Sequence, residues 1–208
     1  MAVGFILDFA SGGTEAYDEV VERMGLEGKT AAGGLFHVAG AGPRGGIRVV
    51  DVWESDDAFE AFAARKIRPI TAEVGLAPPQ ITRFDVHGTR DSGAPRRTMR
   101  LFQVVRFSGL DEPGFDAMDG EILATGVPEA MVFHVNGPAE DGGWVVADGW
   151  TSREARDAFL EARVYPVAAK HPGITPPRIE DLDVHATLEP AAPVAGAGTA
   201  GGAGGAGG

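Results

Sequence analysis

One segment of this chain is written twice. Residues 36–55, FHVAGAGPRGGIRVVDVWES, align without a gap to FHVNGPAEDGGWVVADGWTS at 133–152. Phe36/Phe133, His37/His134, Asp51/Asp148, Trp53/Trp150 and Ser55/Ser152 are identical, and Phe62/Phe159 and Pro69/Pro166 follow in register. After one inserted residue, Pro78-Pro79 and Asp85-Val86-His87 answer Pro176-Pro177 and Asp183-Val184-His185. A repeat this long requires one supersecondary pattern to be built twice. The reading is a first unit over 1–90, a polar linker over 91–97, a second unit over 98–190 and a tail over 191–208. That tail holds eight of the 31 glycines and no charge. It has too little apolar surface to offset the entropy of ordering, so disorder is expected.

Each copy reads as β-α-β-β-α-β. In the first, VGFILDF is a short apolar strand. Thr14 is the expected N-cap of a helix carrying Tyr17, Val20, Val21 and Met24 on one face, and Gly25 stops it. Strands follow from Leu35 to Ala39 and from Ile47 to Glu54. Ser55 caps a second helix with Phe59, Phe62, Ala63, Ile67 and Ile70 inside. Pro69 should kink or break it. Ile81 to His87 closes the unit. The second copy repeats the order with strands at 101–107, 131–136, 144–150 and 178–185 and helices near 113–123 and 153–170. The expected fold class is α+β, two ferredoxin-like units whose sheets pack on each other as a barrel-type pseudo-dimer within one chain. A further homodimer is left open.

Composition narrows the function. Acidic residues outnumber basic ones 30 to 18, for a net charge of −12, which argues against nucleic-acid or anionic-membrane binding. No apolar run has the length of a membrane span, and the N-terminus lacks the basic region of a signal peptide. With no cysteine, thiol catalysis, disulfides and thiolate metal sites are excluded, and a reducing cytoplasm is the default expectation. No histidine pair has the i, i+4 spacing of a helical metal site, so no metal is expected.

Strand three ending in Trp53-Glu54-Ser55, the acidic pair Asp56-Asp57, Phe62 and Pro69 together resemble the antibiotic-biosynthesis-monooxygenase superfamily, and in particular small actinobacterial proteins with the order G-L-x-x-H-V-A-G, V-V-D-V-W-E-S and a closing V-H. The resemblance covers both units. It implies ferredoxin-like units that form an α+β barrel. The superfamily includes cofactor-independent oxygenases, isomerases, haem-degrading enzymes and members of unknown role. Many members carry His in the second helix at the positions of Phe62 and Phe159, so a haem ligand is not implied there. Most are single-unit homodimers, whereas this chain carries the unit in tandem.

Gly40-Ala-Gly42-Pro-Arg-Gly45 spells a dinucleotide fingerprint, but it leads into a strand instead of a helix N-terminus and is read as a hairpin. His37 and His134 lie mid-strand as candidate acid–base groups, with the alternative of a core histidine bonded to Asp51 or Asp148. Trp53 and Trp150 share a face with Asp51 and Asp148, an arrangement suited either to a planar hydroxylated molecule or to core packing. His87 and His185, each two residues after an Asp, complete the candidate binding set with Arg48 and Arg83. Those arginines make the first unit the expected home of an anionic substrate; the acid excess is 13 over 9 in residues 1–90 and 17 over 9 in 91–190. The resulting expectation is a cofactor-free monooxygenase-like enzyme that uses O₂ on a small aromatic or polyketide-type metabolite. An isomerase or cyclase on the same pocket, and a non-catalytic binding or assembly module, are the alternatives.

Overall fold

The computed structural model describes residues 1–190 apart from Arg44 and Pro172, so the tail expected to be disordered lies outside the described residues. Apolar runs rich in Val, Ile and Phe form strands β1 (Val3–Phe9), β2 (Gly34–Ala41), β3 (Ile47–Trp53) and β4 (Gln80–Asp85) in the first half. They lie in the order β4-β1-β3-β2, all antiparallel. Helix α1 (Gly13–Met24) connects β1 to β2. Between β3 and β4 run α2 (Asp56–Phe62), a π-helical turn (Ala63–Ile67) and α3 (Arg68–Val74).

The second half repeats this with β6 (Leu101–Phe107), α4 (Glu112–Ile122), β7 (Met131–Pro138) and β8 (Trp144–Trp150). It ends with α5 (Arg153–Phe159), a π turn (Leu160–Val164), α6 (Tyr165–Ala168) and β9 (Arg178–Thr187). Its strands lie in the order β9-β6-β8-β7.

Each half-sheet is completed by the other. The end of β9 pairs with β2, Val38 opposite Thr187. A short strand, β5 (Gly88–Asp91), pairs with β7, Arg90 opposite His134. Because β5 prolongs the line of β4 after two residues, and Phe84 also bridges to Ala139, the nine-stranded sheet closes on itself. The closure requires glycine at two related places. A Cβ on Gly40 would stand 2.3 Å from the Asp183 carbonyl oxygen, and one on Gly137 would stand 1.7 Å from that of Asp85. β2 and β3 pair as a hairpin on either side of the fingerprint-like segment, as expected, and its first glycine admits the crossing strand.

Several local expectations are corrected. α1 begins at Gly13 behind an uncapped Gly12 at φ +101°, a left-handed start that glycine permits, so Thr14 lies inside the helix and is not its cap. Ser55 and Ser152 do cap, accepting from the backbone N–H of Ala58 and Ala155. Pro69 does interrupt the regular helix as expected: it and Pro166 lie in the first turn of the short final helices α3 and α6, each after a π turn, where a missing N–H costs little. The segment read as a polar linker, 91–97, starts at Asp91, the last residue of β5, and runs into a 3₁₀ turn, Arg96–Thr98. Arg96 is buried there, its guanidinium 4.4 Å from the Phe133 ring centre, donating to the Val132 carbonyl at 3.1 Å and the Asp91 carboxylate at 2.6 Å.

The barrel interior is one apolar cluster drawn from both halves, centred on Phe36 and Phe133, whose rings stack at 4.0 Å. Outside the sheet, under the helices, the halves differ. The first half has one continuous cluster from Val3 to Ala63. In the second half the same layer is split into a group around Phe115 and Trp144 and a group around Met131 and Trp150.

Gly137→Ala is expected to destabilise the chain by about 3 kcal/mol or more, because a methyl driven into a backbone carbonyl cannot be relieved by a rotamer change. Urea unfolding checks this, and an unchanged midpoint would show that closure at β4 and β7 tolerates more space than the geometry gives.

Candidate functional site

His37 and His134 stand on β2 and β7 directly opposite Asp51 on β3 and Asp148 on β8. In each half the histidine Nδ1 lies 2.7 Å from the carboxylate Oδ1. These pairs face the helices, since Asp51 and Asp148 alternate with the barrel-facing residues Val50, Val52 and Ala147. Each is thus the polar floor of a space between sheet and helices.

The groups around the two pairs diverge. In the first half the Tyr17 hydroxyl, from α1, lies 2.6 Å from His37 Nε2. Burial, with Asp51 and Asp18 nearby, pushes the Tyr17 phenol well above its ordinary pKa, so it holds its proton and donates to Nε2. The His37 ring then presents Nδ1–H to Asp51, a Tyr–His–Asp chain. Phe5 and Phe59 stack at 3.9 Å beside it, and Leu188 is buried over the strand, its N–H on the His37 carbonyl. The remaining cavity measures about 70 Å³.

In the second half each of these neighbours is replaced. Phe115 stands in the place of Tyr17, stacked on Trp144 at 4.8 Å. His134 Nε2 instead meets the side-chain amide of Asn136 at 2.9 Å. Gln103 takes the place of Phe5 and Arg156 that of Phe59. Gln103 donates to Asp181 at 3.1 Å, and Arg156 donates to the same carboxylate at 2.8 Å. Burial alone would raise the Asp181 pKa, but the Arg156, Gln103 and Arg153 hydrogen bonds outweigh it and hold the carboxyl below its usual range. Arg90 occupies the position of Leu188 and pairs with Asp119 of α4 at 2.5 Å. Gln103, Asp148, His134 and Arg90 therefore form one row across β6, β8, β7 and β5. Above it lies a cavity of about 380 Å³, walled chiefly by apolar side chains such as Phe107, Met118, Phe159 and Val164. That is within the size range of small-molecule sites, whereas the first cavity holds only a few waters.

The residues singled out in the sequence divide accordingly. His37, Asp51 and Trp53 line the small cavity, and His134, Asp148 and Trp150 the large one. The indole Nε1–H groups of Trp53 and Trp150 are enclosed and have no acceptor among the described residues. Arg48 and Arg83 line neither cavity. Arg48 is buried on the opposite face of β3, bidentate to Asp8 at 2.7 Å and bonded to Glu180 at 2.7 Å. Arg83 lies at the sheet margin, held by Asp56 and Asp85. The basic residues that pointed to the first unit are thus structural ion pairs, and the ligand-sized space is in the second half.

His87 and His185 also lie outside both cavities. Each crosses to the other half's first helix: His87 Nε2 is 2.9 Å from Asp116 on α4, and His185 Nε2 is 2.7 Å from Asp18 on α1. Tyr17, Asn136, Gln103, Asp119 and His171, which complete the two sites, were not among the sequence candidates. Four of them mark places where the repeat changes type, namely Tyr17/Phe115, Ala39/Asn136, Phe5/Gln103 and Val21/Asp119.

Solved structures share this fold. The chain superposes on a candidate monooxygenase from Lactobacillus acidophilus with a TM-score of 0.71 at 11% identity, covering 90% of this chain and 96% of that one. A candidate monooxygenase from Fusobacterium nucleatum gives 0.70 at 14% identity, with 90% and 94% covered. An anthrone oxidase-like protein gives 0.54 at 17% identity, with 89% and 92% covered. Chlorite dismutase-type proteins are also among the neighbours, at a TM-score of 0.56. At such identities the likeness is one of fold alone. No family model and no curated protein sequence matches the chain.

Tyr17→Phe removes the donor to His37 Nε2 in a buried setting, and a loss of about 1–2 kcal/mol in stability is expected. Urea unfolding measures it; a loss below about 0.3 kcal/mol would mean that the hydroxyl contributes no net hydrogen bond.

Proposed function

We propose that the chain is a covalent pair of ferredoxin-like units, an intramolecular pseudo-dimer, and that its second unit is a cofactor-independent monooxygenase-like site for a small aromatic or polyketide-type metabolite. The observation that carries this reading is the 380 Å³ apolar cavity with the His134–Asp148 pair in its floor. The shared fold with candidate monooxygenases and an anthrone oxidase-like protein supports it.

In this chemistry the substrate supplies the electrons. His134 takes a proton from an activated C–H or O–H of the substrate at Nε2, displacing the Asn136 amide from that atom. Asp148 fixes the ring through Nδ1 and stabilises the imidazolium that forms. The substrate carbanion adds O₂ to give a carbon-bound peroxide, protonated from the imidazolium. Loss of water then leaves a carbonyl, so that R₂CH₂ and O₂ become R₂C=O and H₂O. The apolar walls keep bulk water from the anion. The same base would serve an isomerase or cyclase. A binding module without chemistry is the second reading, favoured by the Asn136 amide already seated on His134 Nε2.

Oxygen uptake by the purified protein with anthrone or simple hydroxyaromatics tests the proposal. His134→Ala is expected to lower the rate by about 10² to 10⁴-fold, the usual contribution of a positioned base. His37→Ala should leave it nearly unchanged. Uptake that survives His134→Ala would overturn the assigned base, and saturable binding without any turnover would favour the module.

A further inference from the structure

The second cavity has a charge pattern that its apolar walls do not require. Asp119 of α4 is 9% exposed and lines it. Its Oδ2 is held by Arg90 Nη2, and Arg90 itself is not part of the lining. The other carboxylate in the wall, Asp148, is committed to His134. The further titratable groups facing this space are His134, His171 and Tyr165, and no lysine or arginine lines it among the described residues. In the first half the position of Asp119 is Val21, against a cavity too small for a ligand. A buried carboxylate thus appears in the half that has room for a guest.

We propose that Asp119 is a specificity-determining residue that makes this cavity select uncharged aromatic molecules carrying a hydrogen-bond donor, and reject anions. The inference rests on the cavity reading above. An O–H or N–H on the guest donates to the Asp119 carboxylate, satisfying a group whose other contact comes from outside the cavity. A carboxylate or sulfonate guest would instead bring a third negative charge beside Asp119 and Asp148 in a poorly solvated space, where repulsion is weakly screened. A guest of the same shape without a donor would leave Asp119 facing apolar atoms.

Three probes of one shape separate these effects: 2-naphthol, 2-methoxynaphthalene and 2-naphthoate, titrated calorimetrically into the full chain at neutral pH. The expected order is 2-naphthol about tenfold tighter than either of the others. Asp119→Val should bring 2-naphthol down to the level of 2-methoxynaphthalene. Asp119→Asn, which keeps an acceptor and the Arg90 contact while removing the charge, should retain 2-naphthol and admit 2-naphthoate more tightly than the parent does. Equal binding of all three probes, or an order unchanged in both variants, overturns the role of Asp119 and leaves the cavity reading standing. Binding of none of the three overturns the cavity reading itself, and this inference with it.

Discussion

Strand pairing between the two halves is the constraint on which everything else depends. A four-stranded sheet covered by helices on one face leaves an open face and an unpaired edge, each costly in water. Here β2 receives the end of β9, and β7 receives β5. The open faces close around one cluster containing the stacked Phe36–Phe133 pair. The exchange also brings His87 and His185 against the first helix of the opposite half. The connecting segment is consequently packed against the second half, with Arg96 seated against Phe133.

With the barrel interior committed to packing, open space is left to the layer between sheet and helices, and there the two halves part. Both keep the histidine–aspartate pair because it bridges neighbouring strands at the same register. In the first half, aromatic stacking of Phe5 on Phe59 and the cover of Leu188 fill the layer. In the second, Gln103, Arg156 and Arg90 direct their polar ends into ion-pair networks, and the apolar layer is split around a cavity. The two halves share the strand order and the histidine–aspartate pair, and the residues at the ends of one polar row make them unequal.

Much of the strand and helix order was legible in the sequence, because apolar alternation, the Ser55 and Ser152 caps and the glycine-marked hairpins are local signals. The His37–Asp51 and His134–Asp148 contacts were legible as one of two readings, since the repeat kept their spacing across a hairpin. The partners of Arg48 and Arg83 were not, because a long side chain's choice among carboxylates depends on strand order and on which face is buried. β5 was missed because Gly88–Asp91 is a strand only through β7, which lies beyond the turn. Asp119 and Gln103 were hidden for a related reason. They matter through what they replace, and that is visible only when the copies are superposed in space.

On the proposed function, one chain holds one ligand site, in its second half. The stoichiometry of binding of a neutral hydroxyaromatic to the intact chain tests it most directly. One molecule per chain is expected, displaced when Val164 in the cavity wall is enlarged to Trp. Two molecules per chain, or binding untouched by that substitution, would contradict it.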